Sequence, residues 1–120
     1  MKRDINLIRA IMLQVESWPI DKRGTNVEMQ SVDPQVVSYH VMILDEAGLL
    51  KGQDASGLND IDWFVDRLTW AGHEFVEAAR DDTRWRNALS TIADKGGAVL
   101  FEIVKQVLVQ LAKEAVFGHA

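Results

Sequence analysis

A short segment near the middle of the chain carries side chains that can recognise another macromolecule. Gln35 and Ser38 have groups that can hydrogen-bond to the edges of DNA bases, whereas Tyr39 and Met42 are of types enriched in protein interfaces. No lysine or arginine occurs between Asp33 and Leu50. The cations expected to contact phosphates therefore lie elsewhere, at Lys2, Arg3, Lys22, Arg23 and Lys51.

Catalytic and metal-binding chemistry has little support in the sequence. The absence of cysteine excludes disulfides, thiolate chemistry and cysteine metal sites. The three histidines, His40, His73 and His119, are scattered, and His40 falls on an apolar stripe with Val37 and Leu44, which predicts a buried core histidine. No phosphate loop, nucleophile elbow or dinucleotide fingerprint is found. We therefore expect a non-enzymatic protein without a cofactor or a bound metal.

The segment that carries the polar residues has the signals of a complete helix. Asp33 can act as N-cap, Pro34 suits the first helical position, and Gly48 suits the positive φ that ends a helix. Val37 and Leu44 belong to one apolar stripe at helical spacing. A helix followed by Ala-Gly, Leu-Leu and a strand is the layout of the third helix in a winged helix-turn-helix domain, which enters the major groove when such a domain binds DNA.

The flanking elements complete this interpretation. Helices are predicted at about Asp4–Glu16, Thr69–Arg80, Asp82–Lys95 with Asp82 as its cap, and Ala98–Val116. A short strand is predicted around Asn26–Met29, and two wing strands at Leu49–Ala55 and Ile61–Leu68. Few residues separate Met29 from Asp33, so the usual second helix must be short, degenerate or absent. The predicted fold is mainly α with a small β wing, a winged helix-turn-helix-like domain with extra C-terminal helices.

The C-terminal helix points to self-association. We expect one compact domain, with a winged-helix-like core over residues 1–80 and a helical extension over residues 81–120. The last helix is apolar over more than half of its circumference, so a homodimer is expected to cover what one small core cannot. Its four charged residues argue against a membrane span. The residues assigned to the dimer contact are Phe101, Val109, Ala112 and Val116.

Charge argues against a general nucleic-acid binder but leaves a local site open. Thirteen basic and eighteen acidic residues give a net charge of -5, whereas proteins that neutralise phosphates usually carry a basic excess. The predicted wing sets Lys51 against four carboxylates, Asp54, Asp60, Asp62 and Asp66. The N-terminus lacks the apolar run and cleavage site of a signal peptide, which predicts a cytoplasmic protein.

Aromatic residues offer one further pattern. In Arg84-Trp85-Arg86 an aromatic side chain is interleaved with cations, as in proteins that bind single-stranded nucleic acids. However, Trp85 lies at helical spacing from Leu89 and Ile92, which favours a place in the core.

Longer segments resemble known families. VSYHVMILDEAGLL and RLTWAGHEFVEAARDDTRW, with MKRD at the start, resemble a family of small bacterial and phage proteins catalogued as a domain of unknown function and assigned to the winged-helix group. This resemblance covers nearly the whole chain. More loosely, the third helix, Ala-Gly-Leu, the wing and a Leu-Thr-x-x-Gly helix start resemble multiple-antibiotic-resistance-type repressors. In those repressors the helix contacts DNA and the terminal helices form the dimer.

Two functions follow as expectations. The first is a cytosolic, non-enzymatic regulator that binds double-stranded DNA in the manner of a transcription regulator. The second is a protein-interaction module or a phage-encoded or prophage-encoded inhibitor, which has kept the fold and binds a protein partner instead.

Overall fold

The computed structural model describes residues 1–94 and, further along the chain, the helical residues Val104, Gln106, Leu108 and Gln110. The described elements are α1 (Ile5–Glu16), α2 (Pro34–Glu46), β1 (Leu50–Asp54), β2 (Trp63–Leu68), α3 (Trp70–Ala79) and α4 (Asp82–Asp94). This mainly helical fold with a small antiparallel sheet agrees with the predicted winged-helix-like class and its hairpin wing. The chain divides into two compact units, residues 1–76 and 77–120.

The first two helices begin where the sequence predicted. Asp4 Oδ1 accepts hydrogen bonds from the backbone N–H groups of Asn6 and Leu7, at 3.0 and 3.1 Å. Asp33 Oδ1 accepts from the N–H of Gln35 at 2.8 Å, with Pro34 in the first helical position. Each aspartate thus satisfies backbone donors that a helix start leaves without a partner.

His40 connects these two helices inside the core. The side chain is 0% exposed. Its Nε2 accepts the backbone N–H of Asp4 at 2.9 Å, while Nδ1 lies 2.8 Å from the carbonyl oxygen of Val36. Because Nε2 faces a donor and Nδ1 faces an acceptor, these partners assign the neutral tautomer with its proton on Nδ1. The predicted core histidine is confirmed.

The two strands form a hairpin whose register places charges on its outer face. Leu50 pairs with Leu68 and Lys51 pairs with Arg67. Both leucines are buried, whereas Lys51 and Arg67 are exposed. The register shifts between Lys51 and Gly52, which is the pattern of a β-bulge.

The predicted strand at Asn26–Met29 is wrong. Only Thr25 forms an isolated bridge, to Val65, before the backbone leaves the sheet. The side chain of Asn26 donates instead to the Asp62 carboxylate and the Trp63 carbonyl. No helix lies between residues 17 and 33, so the second helix of the usual pattern is absent.

The start of α3 is tied to the loop between α2 and β1. Thr69 donates its N–H to the Leu49 carbonyl at 3.1 Å and its hydroxyl to the Gly48 carbonyl at 2.6 Å. The same hydroxyl oxygen accepts the N–H of Gly72 at 3.1 Å, so Thr69 caps the helix that was predicted to begin here. Gly48 has a φ of +77°, as expected for the residue that ends α2.

In the second unit, α4 is capped by Asp81, which corrects the expected cap at Asp82. Asp81 Oδ1 accepts from the N–H of Arg84 at 2.8 Å, and Asp82 is already helical. Trp85 is 3% exposed, which confirms its place in the core. None of the described helices has the length and apolar composition needed to cross a membrane. The residues predicted to form the dimer contact, Phe101, Val109, Ala112 and Val116, lie outside the described residues.

Candidate functional site

Ser38 lies on the inner side of α2, which corrects the prediction that it faces outward. Its side chain is 5% exposed, and Oγ accepts the backbone N–H of Trp63 at 3.0 Å. Because Trp63 begins β2, this hydrogen bond fixes the helix against the wing. With its side chain buried in this position, Ser38 is not accessible to a DNA base.

The other three predicted contact residues of α2 remain at or near the surface. Gln35 is exposed, and its Oε1 accepts the N–H of Ile61 at 3.4 Å. Tyr39 and Met42 are half-buried, and the Tyr39 ring meets the His40 ring edge-on with centroids 6.0 Å apart. With exposed Glu46 at its end, this outer face of α2 is neutral to acidic. Its charge does not suit a phosphate backbone.

A cavity of about 960 Å³ in the first unit gathers cations instead. It lies between the end of α1, the following loop and the outer face of the hairpin. We call it the cationic groove, after four side chains that line it: Lys22, Arg23, Lys51 and Arg67. Three of these four were among the predicted phosphate contacts, and the fold brings them together from two distant segments.

Backbone hydrogen bonds fix the loop after α1, which carries Lys22 and Arg23. The N–H of Lys22 donates to the Pro19 carbonyl at 3.0 Å, which closes a tight turn. Gly24 then adopts a φ of +67° and donates its N–H to the Val65 carbonyl at 2.9 Å. Since glycine adopts positive φ without a steric penalty, Gly24 allows the loop to reach β2. Arg23, between these two fixed points, is thereby held at the groove.

Carboxylates in the groove are outnumbered. Glu16 and Asp66 also line it. Both oxygens of Asp66 accept from Gln53 Nε2, at 3.0 and 2.9 Å. Four cations against two carboxylates leave a local positive excess in a chain whose net charge is -5. Such a concave positive surface concentrates anions.

Lys2 and Arg3, two of the predicted phosphate contacts, are not part of this groove. Two basic side chains that do line it, Arg67 and His73, were not predicted to contact phosphates. Lys2 and Arg3 are exposed ahead of α1 and do not line the cavity. Arg67 was missed, although it stands directly across from Lys51 in the hairpin. Aligning the two predicted wing strands as a hairpin would have placed Lys51 opposite Arg67. His73 was missed because its place beside the hairpin depends on where α3 begins.

The loop that joins the wing strands is acidic and internally bonded. Ser56 donates its N–H to Asp54 Oδ1 at 2.9 Å and accepts the N–H of Asp62 at 3.0 Å. Hydrogen bonds from the side chain and the backbone of Ser56 hold the pKa of Asp54 below its ordinary value. Asp54 therefore stays ionised at neutral pH, and Asp60 adds a second exposed carboxylate to the loop.

Within residues 1–94 and the four described helical positions beyond them, no three histidine, aspartate or glutamate side chains are grouped so that they could hold a metal ion.

Comparison with known proteins places the chain in a family. Residues 2–98 match the family described as "Hypothetical protein (DUF2513)". The chain belongs to this family. A relative from Haemophilus influenzae strain Rd, named "Uncharacterized protein", is 38% identical over 109 residues, which is 89% of this chain and 92% of the relative. No solved structure matches the chain. The family match spans the hairpin and every residue of the cationic groove.

Proposed function

We propose that this protein is a cytoplasmic, non-enzymatic regulator that binds double-stranded DNA through the cationic groove, in the manner of a transcription regulator. The observation that supports this proposal is the meeting of Lys22, Arg23, Lys51 and Arg67 in one cavity of an acidic chain. Each cation that neutralises a phosphate releases condensed counterions, which drives association.

The groove, rather than α2, carries most of the affinity in this proposal. The outer face of α2 has no cation, and Ser38 is already bonded to the wing. Gln35 and Tyr39 are left as groups that can meet base edges. Phosphate contacts position a protein on DNA, whereas base contacts supply sequence preference. We therefore expect a modest preference for sequence and a strong dependence on salt.

A protein partner is the second candidate, and one observation favours it. A cavity of about 420 Å³ at the N-terminal end of α2 is lined by apolar side chains, among them Met29, Val32 and Ile61, beside Gln35. Such a mixed lining suits a side chain from another protein.

The proposal is tested by measuring DNA affinity with charge variants. Fluorescence anisotropy with a labelled duplex from the protein's own promoter region is read at about 50 and 200 mM salt. Four phosphate contacts predict a slope of log affinity against log salt of roughly -3 to -4. Replacing both Lys51 and Arg67 by glutamine should weaken binding on the order of tenfold and make the slope shallower by about 2.

The matched control replaces Lys2 and Arg3 by glutamine, because these cations are exposed and lie outside the groove. The control should bind like the parent. If the parent does not bind the duplex at about 50 mM salt, or if both double variants lose affinity equally, the proposed DNA site is wrong. The cavity beside α2 then becomes the site to test, with a partner protein.

A further inference from the structure

Trp18 gives the cationic groove an aromatic surface. It is half-buried and lines the cavity at the base of the Pro19–Lys22 turn. The Lys22 Nζ atom lies 4.8 Å from the centroid of the Trp18 ring. An ammonium group at this distance is attracted to the electron-rich face of the indole. One face of the ring is therefore covered by the ammonium group of an exposed lysine.

A second cavity of about 410 Å³ shares Trp18 and Lys22 with the groove. Its other lining residues are polar: Gln14, Ser17, Thr25, Asn26 and Glu28. The amide nitrogens of Gln14 and Asn26 already donate, to the Glu28 carbonyl and to the Asp62 and Trp63 oxygens. Asn26 is left with its amide oxygen, and Gln14 with its amide oxygen and a second N–H, as groups that can meet a ligand. Trp18 and Lys22 separate a cavity suited to phosphates from a cavity suited to a hydrogen-bond donor.

We propose that the groove binds a single-stranded stretch of DNA more tightly than a duplex, with one unpaired base stacked on Trp18. This inference rests on the proposed function. A nucleotide carries a phosphate and a flat base side by side, which matches the order of the two cavities. Lys22 moves from the ring to the phosphate, because a charged acceptor is a stronger partner than an aromatic face. The indole face is then uncovered for the base, whose amino edge reaches the polar cavity.

Paired bases cannot make this contact, since a duplex keeps their faces stacked inside. The other tryptophans of the chain are placed differently. Trp85 is buried, and Trp63 is half-buried at the start of β2. Trp70 is 81% exposed, but its Nε1 donates to Glu74 and it does not line the groove. Trp70 is therefore the matched control for an exposed tryptophan outside the site.

The test compares single-stranded and duplex DNA of the same mixed sequence, about 12 nucleotides long, by fluorescence anisotropy with the full chain. The parent should bind the single strand more tightly. Trp18→Leu should weaken single-strand binding by roughly fivefold to a hundredfold, the range for loss of one stacked base, and leave duplex binding within about twofold. Trp18→Phe should keep most of the affinity, and Trp70→Leu should behave like the parent.

A second measurement uses the unmodified protein, in case Trp18→Leu fails to fold. A single strand with a photoreactive base is crosslinked to the parent, and mass spectrometry should locate the adduct at Trp18. If the parent binds the duplex through Lys51 and Arg67 but crosslinks elsewhere, or binds both forms equally, stacking on Trp18 is refuted and the proposed function stands. If it binds neither form of DNA, both proposals fail.

Discussion

Replacing Gly72 by alanine tests whether the first turn of α3 lies as close to Leu49 as the structure indicates. A Cβ atom at this position would lie 1.9 Å from the Leu49 carbonyl oxygen and 3.1 Å from the Met12 Cε atom. The methionine methyl can move, but the carbonyl belongs to the backbone. That backbone is also held by Thr69, whose N–H donates to the same oxygen at 3.1 Å.

The expected loss of stability follows from this overlap. An unstrained carbon–oxygen contact is about 3.3 Å or longer, so the added methyl group overlaps the oxygen by roughly 1.4 Å. Relief requires α3 to move away from Leu49, with loss of the Thr69 bonds. Overpacking typically costs about 1–3 kcal/mol and occasionally more, and a backbone clash of this size should cost about 3–4 kcal/mol. Alanine regains about 1 kcal/mol of helix propensity, so we expect a net loss of about 2–3 kcal/mol.

Thermal melting followed by circular dichroism measures the effect. A loss of about 2–3 kcal/mol lowers the Tm of a chain this long by on the order of 10 °C. Gly48→Ala is the control, because no atom lies within 4 Å of its added Cβ and only the φ of +77° is unfavourable. That variant should lose only about 1–2 kcal/mol. If Gly72→Ala melts at or above the parent Tm, the close contact of α3 with Leu49 is wrong.

Two further predictions concern the core and the assembly. His40→Leu leaves the Asp4 N–H and the Val36 carbonyl without their side-chain partner, and should lower the free energy of unfolding by about 1–3 kcal/mol in a denaturant titration. Exposed His73→Leu, the control, should unfold like the parent. From the sequence alone, the protein should be a homodimer in light scattering, and Val109→Glu should convert it to a soluble monomer. A parent that scatters as a monomer would contradict the dimer.

Elements set by neighbouring residues could be predicted from the sequence. Asp33 and Asp4 each cap a helix that starts at the next residue, and Gly48 ends α2 within the same short stretch. The two strands of the hairpin lie within the segments predicted for the wing, and Leu50 pairs with Leu68 between them. In each case the deciding interaction spans a few residues or one strand pair, so local chemistry is enough.

Elements set by distant partners were missed. Asn26 belongs to a segment with strand-like composition, yet its side chain bonds to residues 36 and 37 positions away, and the backbone leaves the sheet. Ser38 was predicted to contact DNA bases because its side chain is polar. Its hydroxyl oxygen instead accepts the N–H of Trp63, 25 residues away, inside the fold. A pattern of polar and apolar residues does not contain such pairings, because burial of a polar group depends on whether a partner is present.

The cationic groove also depends on residues that are distant in sequence, so the sequence pattern did not predict it as a site. The Lys22-Arg23 pair and Lys51 are far apart in sequence, and neither segment has a run of basic residues long enough to predict a site alone. Their meeting depends on the loop turning at Gly24 and on the bulge that begins at Gly52. Net charge describes the average of the surface, whereas a ligand responds to the potential of the site it enters.

The acidic residues outside the groove can then take part in recognition instead of opposing it. The wing loop presents Asp54 and Asp60, and the outer face of α2 ends at Glu46. In the proposed complex these carboxylates would repel a polyanion from the wing tip and from the C-terminal end of α2, while Lys51 and Arg67 would attract it to the groove. Like charges across a wrong contact suppress that contact, and opposite charges steer the correct one. Among the described residues, this distribution of charge favours one orientation of the DNA in the proposed complex.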